Sequence, residues 1–313
     1  MTIRRCALAC LTAAVLAALS GCGLGPGAER SGAGVDLRVT RDFGHQLVLA
    51  KNDLTIREDE TVMRLLKRNA DVETRFGGGF VQSIDGLSGR GSGATSDWFY
   101  FVNGIAADEG AADYEASPGD VVQWDRRDWD TTPHVRAIVG AFPQPFLDGL
   151  GGKRFPVRVE CQDSDSAPCD KVKQTLRDAD VPANGASLGA PGNQNVARVV
   201  VADWATARQQ PTARAIELGP GRSGVFARFE DDGDSLELLD ADGRSVRSVG
   251  AGAGLIAALR PTDRELLWLV TGIDEQGVDA AAAAFRTRDL RNAFAVAIVD
   301  DEVLKLPLGI GAR

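Results

Sequence analysis

The stretch Asp97-Trp98-Phe99-Tyr100-Phe101-Val102-Asn103-Gly104 limits the fold more tightly than any other part of the chain. Four consecutive aromatic side chains favour a pleated strand, and Asn-Gly is a strong signal for a tight turn directly after it. Successive residues of a strand point to opposite faces, so Trp98, Tyr100 and Val102 share one face and Phe99 and Phe101 the other. The all-Phe face is the expected core, because it holds no polar atom that would need a buried partner. Trp98 and Tyr100, with Asn103 at the turn, Phe80, and the loops at 77–80 and 86–96, then offer an amphipathic surface for a large planar ligand. The alternative is that Trp98 and Tyr100 only pack. Trp124 and Trp129 are read as packing residues.

The segments around this strand are short and alternate in kind. Val35-Asp36-Leu37-Arg38-Val39-Thr40 has period two, and an apolar stretch at 47–50 completes a candidate hairpin. Residues 60–69 place Val62, Met63, Leu65 and Leu66 in a short helix whose end carries Lys67 and Arg68, complementing the helix dipole. Three glycines at 77–79 precede a candidate strand at 80–84, and Pro118-Gly119-Asp120 opens another at 121–124. The order β-β-α-β-β-β over residues 35–128 predicts a small mixed sheet covering one helix. Residues 129–152 hold Pro133, Pro143 and Pro145 and read as a connector. From 153 to 313, candidate strands at 155–160, 196–202, 224–230, 236–240, 266–273 and 293–299 are interleaved with candidate helices at 170–179 and 278–285. That alternation predicts a separate α/β layered domain.

Composition narrows the functions open to such a chain. With 44 acidic against 35 basic residues and a formal charge of −9, it lacks the footprint of a phosphate-backbone binder, so nucleic acid is not an expected partner. Only two histidines are present, His45 and His134, too few for a multi-histidine metal site. Each falls in a predicted loop, where a neutral imidazole is a competent metal ligand and a solvated histidine is the plainer alternative. Gly185-Ala186-Ser187-Leu188-Gly189 matches G-x-S-x-G, but a helix before it and a strand after it invert the order that a nucleophile elbow requires. The stretch Gly250-Ala251-Gly252-Ala253-Gly254-Leu255 approximates a dinucleotide loop and lacks its last glycine. The acidic runs at 230–234 and 300–302 lack calcium-loop spacing and read as solvated turns. No catalytic residue, resident cofactor or metal is assigned, and the chain is read as a non-enzyme.

The amino terminus carries an address. Arg4 and Arg5 precede an apolar run at 6–19, too short for a comfortable bilayer span and suited to a secretory leader. Leu19-Ser20-Gly21-Cys22 resembles the bacterial lipobox, in which the cysteine becomes residue one and its thiol is lipidated. On that reading residues 1–21 are the leader, Cys22 the lipidation site and residues 22–34 a Gly-rich tether. A simple cleaved leader is the alternative. The expected location is the extracytoplasmic face of a cell membrane, with the lipid as anchor. Cys6 and Cys10 leave with the leader, so Cys161 and Cys169 remain and are expected to form a disulfide.

Four pieces, Thr61-Val62-Met63-Arg64-Leu65-Leu66, Gly79-Phe80-Val81-Gln82-Ser83-Ile84-Asp85-Gly86, the aromatic strand with its Asn-Gly turn, and Pro118-Gly119-Asp120-Val121-Val122-Gln123-Trp124, carry a family resemblance. In order and spacing they resemble a bacterial domain family similar to the C-terminal β-domain of transcobalamin and intrinsic factor. The resemblance covers residues 35–128 and implies a β-grasp-like fold outside the cell. Its animal relatives imply a surface that closes over one face of cobalamin. Phe80, Trp98, Tyr100 and Asn103 are then the expected ligand contacts, and His45 or His134 a candidate cobalt ligand. The expected function is a lipid-anchored binding protein that captures a corrinoid and passes it to a membrane transporter. A surface assembly or adhesion protein, using the β-grasp domain to bind another protein, is the alternative. The animal carriers close the vitamin against a helical barrel, and residues 153–313 show no helical array. The other wall would come from the α/β half or a separate protein, or else the ligand differs.

Overall fold

The computed structural model describes residues 29–88, 96–130, 132, 134–230 and 232–309. The expected leader, Cys22, the tether up to residue 28 and the loop at 89–95 lie outside the described residues. The protein is mixed α+β, mostly strand, with several sheets and few helices.

In the first half, β1 (Val35–Arg41) and β2 (Gln46–Leu54) form the expected hairpin. Helix α1 (Val62–Asn69) starts at Thr61, whose hydroxyl accepts the Arg64 N–H, and buries Val62, Met63, Leu65 and Leu66. Strands β3 (Val72–Arg75), β4 (Phe80–Ile84) and β5 (Leu87–Ser88) make a small sheet of their own. Strand β6 (Ser96–Val102) turns through Asn103 and Gly104, both at positive φ, into β7 (Ile105–Ala106), and β8 (Val121–Asp128) closes the unit. The five-stranded order is β2-β1-β8-β6-β7, with β1 and β8 parallel at its centre.

Helix α1 covers one face of that sheet, where Leu37, Val39, Trp98, Val102, Val122 and Trp124 pack with Val62, Leu65 and Leu66. The expected exposure of Trp98 is therefore corrected. Trp98 turns toward α1 at 7% exposure, and Phe101 is buried on the opposite face against the second half. Both faces are covered, so a polar atom on one face no longer marks it as the wet one. The indole nitrogens of Trp98 and Trp124 are buried without a hydrogen-bond partner among the described residues. Trp129, read as packing, is exposed.

The second half runs β9 (Val157–Cys161), α2 (Ala167–Asp178), β10 (Ala183–Ser187), β11 (Val196–Asp203) and the short helices α3 (Trp204–Ala207), α4 (Pro211–Arg214) and α5 (Pro220–Ser223). It continues through β12 (Ala227–Phe229), β13 (Leu236–Leu239), β14 (Ser245–Val249), β15 (Gly254–Thr262), β16 (Glu265–Gly272), α6 (Glu275–Ala284), α7 (Thr287–Leu290), β17 (Ala295–Val299) and β18 (Glu302–Leu306). The main sheet has the order β10-β9-β11-β16-β15-β17-β18, with the first four strands parallel and the rest antiparallel to their neighbours. Val172, Leu176, Val278 and Ala281 of α2 and α6 pack on one face. The small sheet β12-β13-β14 and α3 lie on the other, where Trp204 stacks on Phe229 at 4.0 Å. On β9, the fully buried Glu160 accepts Arg198 Nε at 2.8 Å, Arg198 Nη2 at 2.7 Å, Arg158 Nε at 2.7 Å and the Gly189 N–H at 3.1 Å. Burial alone would raise the Glu160 carboxyl, but these donors bring it below its ordinary value.

The halves meet over a continuous core. Phe43, Phe101, Val135 and Ile138 belong to the same buried cluster as Phe226, Leu238 and Phe294. The expected connector is itself partly core, since Val139, Phe142 and Phe146 are buried with Trp268 and Phe285. The face that β1 and β8 turn to this junction carries Arg38, Thr40, Gln123, Asp125 and Arg127, all buried. Asp125 accepts Thr40 Oγ1 at 2.6 Å and the N–H groups of Phe43 and Gly44 at 3.1 and 2.8 Å. Burial nonetheless pushes its carboxyl above the ordinary value. The Arg127 guanidinium lies 4.0 Å from the Phe99 ring centre, donates to Thr132 O at 3.0 Å, and is lowered by burial to about 10. Gly44, at φ +77, lies so close to the Asn292 carbonyl that a Cβ there would sit 1.7 Å from the oxygen.

Candidate functional site

The four residues expected to face a planar ligand do not form one surface. Asn103 is 0% exposed and its amide is fully engaged: Oδ1 accepts the Val121 N–H at 2.8 Å, and Nδ2 donates to Asp120 Oδ1 and Gly149 O, both at 2.8 Å. It fastens the turn rather than reading a ligand. Tyr100 is half-buried, stacks on Trp124 at 5.1 Å and donates its hydroxyl to Glu109 O at 2.6 Å, and burial holds that hydroxyl well above its ordinary pKa. With Trp98 it belongs to the core beneath α1. Phe80 alone is exposed, at 57%, and its ring meets Phe76 edge-on at 6.1 Å. Sequence reasoning missed Phe76, although a second aromatic residue flanking the three glycines was the available signal.

The two histidines are apart from this pair. His45 lies at the junction beside Lys305 and Pro307; its Nε2 is buried without a partner, and burial lowers its pKa. His134 is exposed. Among the described residues no three His, Cys, Asp or Glu side chains gather closely enough to hold a metal ion.

A groove of about 720 Å³ lies between residues 247–253, α6 and the turn at Asp300 and Asp301. Gly254 pairs with Gly272 on one side and Ile298 on the other, so the start of β15 lies level with the carboxyl ends of β16 and β17. The groove opens at that edge. Asp274 holds its wall together, capping α6 through the Gly277 N–H at 2.8 Å and accepting the Gly252 N–H at 3.0 Å. Three glycines bring helix and strands into close contact: a Cβ on Gly254, Gly272 or Gly277 would lie within 2.4 Å of facing backbone. Ala251, Ala280, Ala283 and Val299 line the groove with apolar side chains, and Asp279, Asp300, Asp301 and Arg247 line it with charged ones. Asp300 lies 3.6 Å from Arg247. The Gly250–Leu255 stretch thus joins two strands, and a dinucleotide loop, which must open a helix, is not formed.

A second concavity, about 390 Å³, lies at the carboxyl ends of β9 and β10 and is lined by Cys161, Gln162, Ser164, Lys173 and Ser187. Cys161 and Cys169 form the expected disulfide, tying the end of β9 to the first turn of α2. Ser187 ends the edge strand β10, a strand where a plain loop was expected, and a turn follows it. The strand–turn–helix context of a nucleophile elbow is absent there. The chain leaves β9 and β16 for helices on one face and β11 for a helix on the other, an arrangement that leaves crevices at the carboxyl edge.

Fold and grooves together describe a mixed α+β protein with open polar concavities along one sheet edge. Residues 59–127, from just before α1 into β8, match the model of a domain of unknown function (DUF4430). No curated protein matches the chain.

Proposed function

We propose that the protein is a lipid-anchored, extracytoplasmic binding protein that holds a small ligand in the groove beside α6 and does no chemistry on it. The observation that carries this reading is the position of that groove of about 720 Å³ at the carboxyl ends of β16 and β17, where sheets of this kind take ligands. The lipobox-like Leu19-Ser20-Gly21-Cys22 supports the anchor, and the Cys161–Cys169 disulfide suits an oxidising compartment. We read the first half as β-grasp-like, on the parallel pairing of β1 with β8 across from α1, and the second as an α/β layered unit.

The ligand class supported by the family resemblance is a corrinoid, and the partner a membrane transporter that receives it. Titration with cyanocobalamin and cobinamide, followed by calorimetry and the visible corrin spectrum, tests this. Binding lost on Ala283→Trp, which fills the groove, is the expected result. Binding that survives Ala283→Trp but fails with Phe80→Ala would move the site to the first half. No heat and no retained colour would sink the corrinoid and leave the groove to a smaller polar ligand. The assembly reading draws on one observation: the edge strand β2 exposes Leu47 and Val48.

A further inference from the structure

Phe76 is the most exposed large apolar side chain among the described residues, at 86%, and with Phe80 it forms an aromatic tip between β3 and β4. The backbone holds it out. Phe76 sits at φ 52, a left-handed conformation unusual for a bulky residue, and Gly77 and Gly78 follow at φ 72 and 102. Nothing lies within 4 Å of where a Cβ on Gly77 would be, so the tip stands clear of the body. Two cations stand by the tip, for Arg75 precedes Phe76 and the Lys67 ammonium lies 3.9 Å from where a Cβ on Gly78 would be, while Glu73 is farther along the hairpin, opposite Ser83, whose hydroxyl it accepts.

The place where the chain joins the fold fixes what this tip faces. The Arg30 N–H bonds to Ile56 O at 2.8 Å, and Arg68 donates to Thr55 O at 2.7 Å. Lys67, next to Arg68 on the last turn of α1, reaches the tip. The last turn of α1 thus has Arg68 reaching the segment to which the start of the described chain bonds and Lys67 reaching the tip. Residues 23–28 alone lie between Cys22 and Glu29, a link that spans at most roughly 25 Å when fully extended. A chain tied to lipid at Cys22 therefore holds Glu29 within roughly 25 Å of the bilayer.

We infer that Phe76 and Phe80 insert into the interfacial layer of the anionic membrane that carries the anchor, with Lys67 and Arg75 on its headgroups. The inference rests on the lipid-anchor reading, and the experiment separates the two. The full chain, recovered from bacterial membranes, is placed on vesicles of phosphatidylglycerol and phosphatidylethanolamine with a spin label at Gly79→Cys or Val246→Cys. Gly79 has negative φ and a Cβ there would meet only the Phe76 carbonyl oxygen, at 4.0 Å, and Val246 is exposed in the second half. The expected result is that the chain floats with the vesicles and a form starting at Gly23, which lacks both leader and Cys22, does not. The label at 79 is then shielded from a water-soluble nickel relaxant while the label at 246 stays accessible. Phe76→Ser with Phe80→Ser, at unchanged circular dichroism, returns the label at 79 to the accessibility seen at 246. A chain that floats with an accessible label at 79, or shielding that survives the double serine variant, overturns the insertion and leaves the anchor. A chain that does not float overturns both.

Discussion

Two buried carboxylates, Glu160 in the second half and Asp125 at the junction, are held in opposite ways. Glu160 has a bidentate arginine, a second arginine and one backbone donor, and its carboxyl is brought down despite burial. Asp125 has a hydroxyl and two backbone N–H groups but, among the described residues, no arginine in hydrogen-bond contact, and burial wins. The difference follows the bonded cations: Arg198 and Arg158 offset the desolvation of Glu160, whereas the uncharged donors around Asp125 do not offset its own. It also separates a rigid interior node from a junction whose polar groups are less completely satisfied, for Gln123 Oε1, Arg127 Nε and Asn292 Oδ1 are buried there without partners.

The largest expected effect breaks the Glu160 side. Arg198→Met leaves the carboxylate with Arg158 and the Gly189 N–H and is expected to cost about 3–5 kcal/mol in urea unfolding. A loss under about 1 kcal/mol would mean the pair is replaceable and the contrast empty. A third buried carboxylate, Asp120, extends the junction side: burial raises it from 3.8 to about 6, against donors from Ser117 and Asn103. Its raised value means that the folded state binds the proton more tightly than the unfolded one. Stability should therefore fall as pH rises from about 4 to about 6, by about 3 kcal/mol relative to Asp120→Asn, measured by unfolding across that range.

Paired pH profiles sharpen the contrast directly. Asp125→Asn should cost about 1–3 kcal/mol, and the penalty should widen in acid, because the raised carboxyl of the parent gains stability as pH falls toward its ordinary value of 3.8. For Glu160→Gln the sign reverses: the penalty is complete above the ordinary value of 4.5 and shrinks as pH falls through the lowered one. Slopes of the same sign would end the comparison. The smallest effect is Thr40→Val, which removes the hydroxyl from Asp125 and should cost about 1 kcal/mol by chemical denaturation, with the carboxyl raised further.

Much of the fold was legible because local patterns sufficed. The β1–β2 hairpin, α1, the Asn-Gly turn and the apolar runs of β11, β16 and β17 stand where periodicity and turn residues put them. The alternation in Val35-Asp36-Leu37-Arg38-Val39-Thr40 marked the strand correctly but could not say that its polar side is buried, because what covers it lies far along the sequence. The same covering buries Trp98 as well as Phe101, where only the Phe face was expected to be core. Strands β15 and β18 begin in stretches read as a glycine loop and an acidic turn, and their strand character comes from their partners. Of the expected ligand contacts only Phe80 is exposed. The groove beside α6 is made by tertiary approach at Gly254, Gly272 and Gly277, which no local pattern announces.

The parallel pairing of β1 with β8, six residue pairs from Asp36 opposite Val121 to Arg41 opposite Arg126, has a practical consequence for handling the gene. The family match begins at residue 59, downstream of β1 and β2. A fragment expressed between those recognisable limits would carry β8 with its inner edge bare and its charged face stripped of the second half. Such a product would seek a replacement strand from its neighbours and come out as aggregate or swapped oligomer. Cloning boundaries for this protein are set by hydrogen-bond partners, and they begin before Val35 and run to the end of β18.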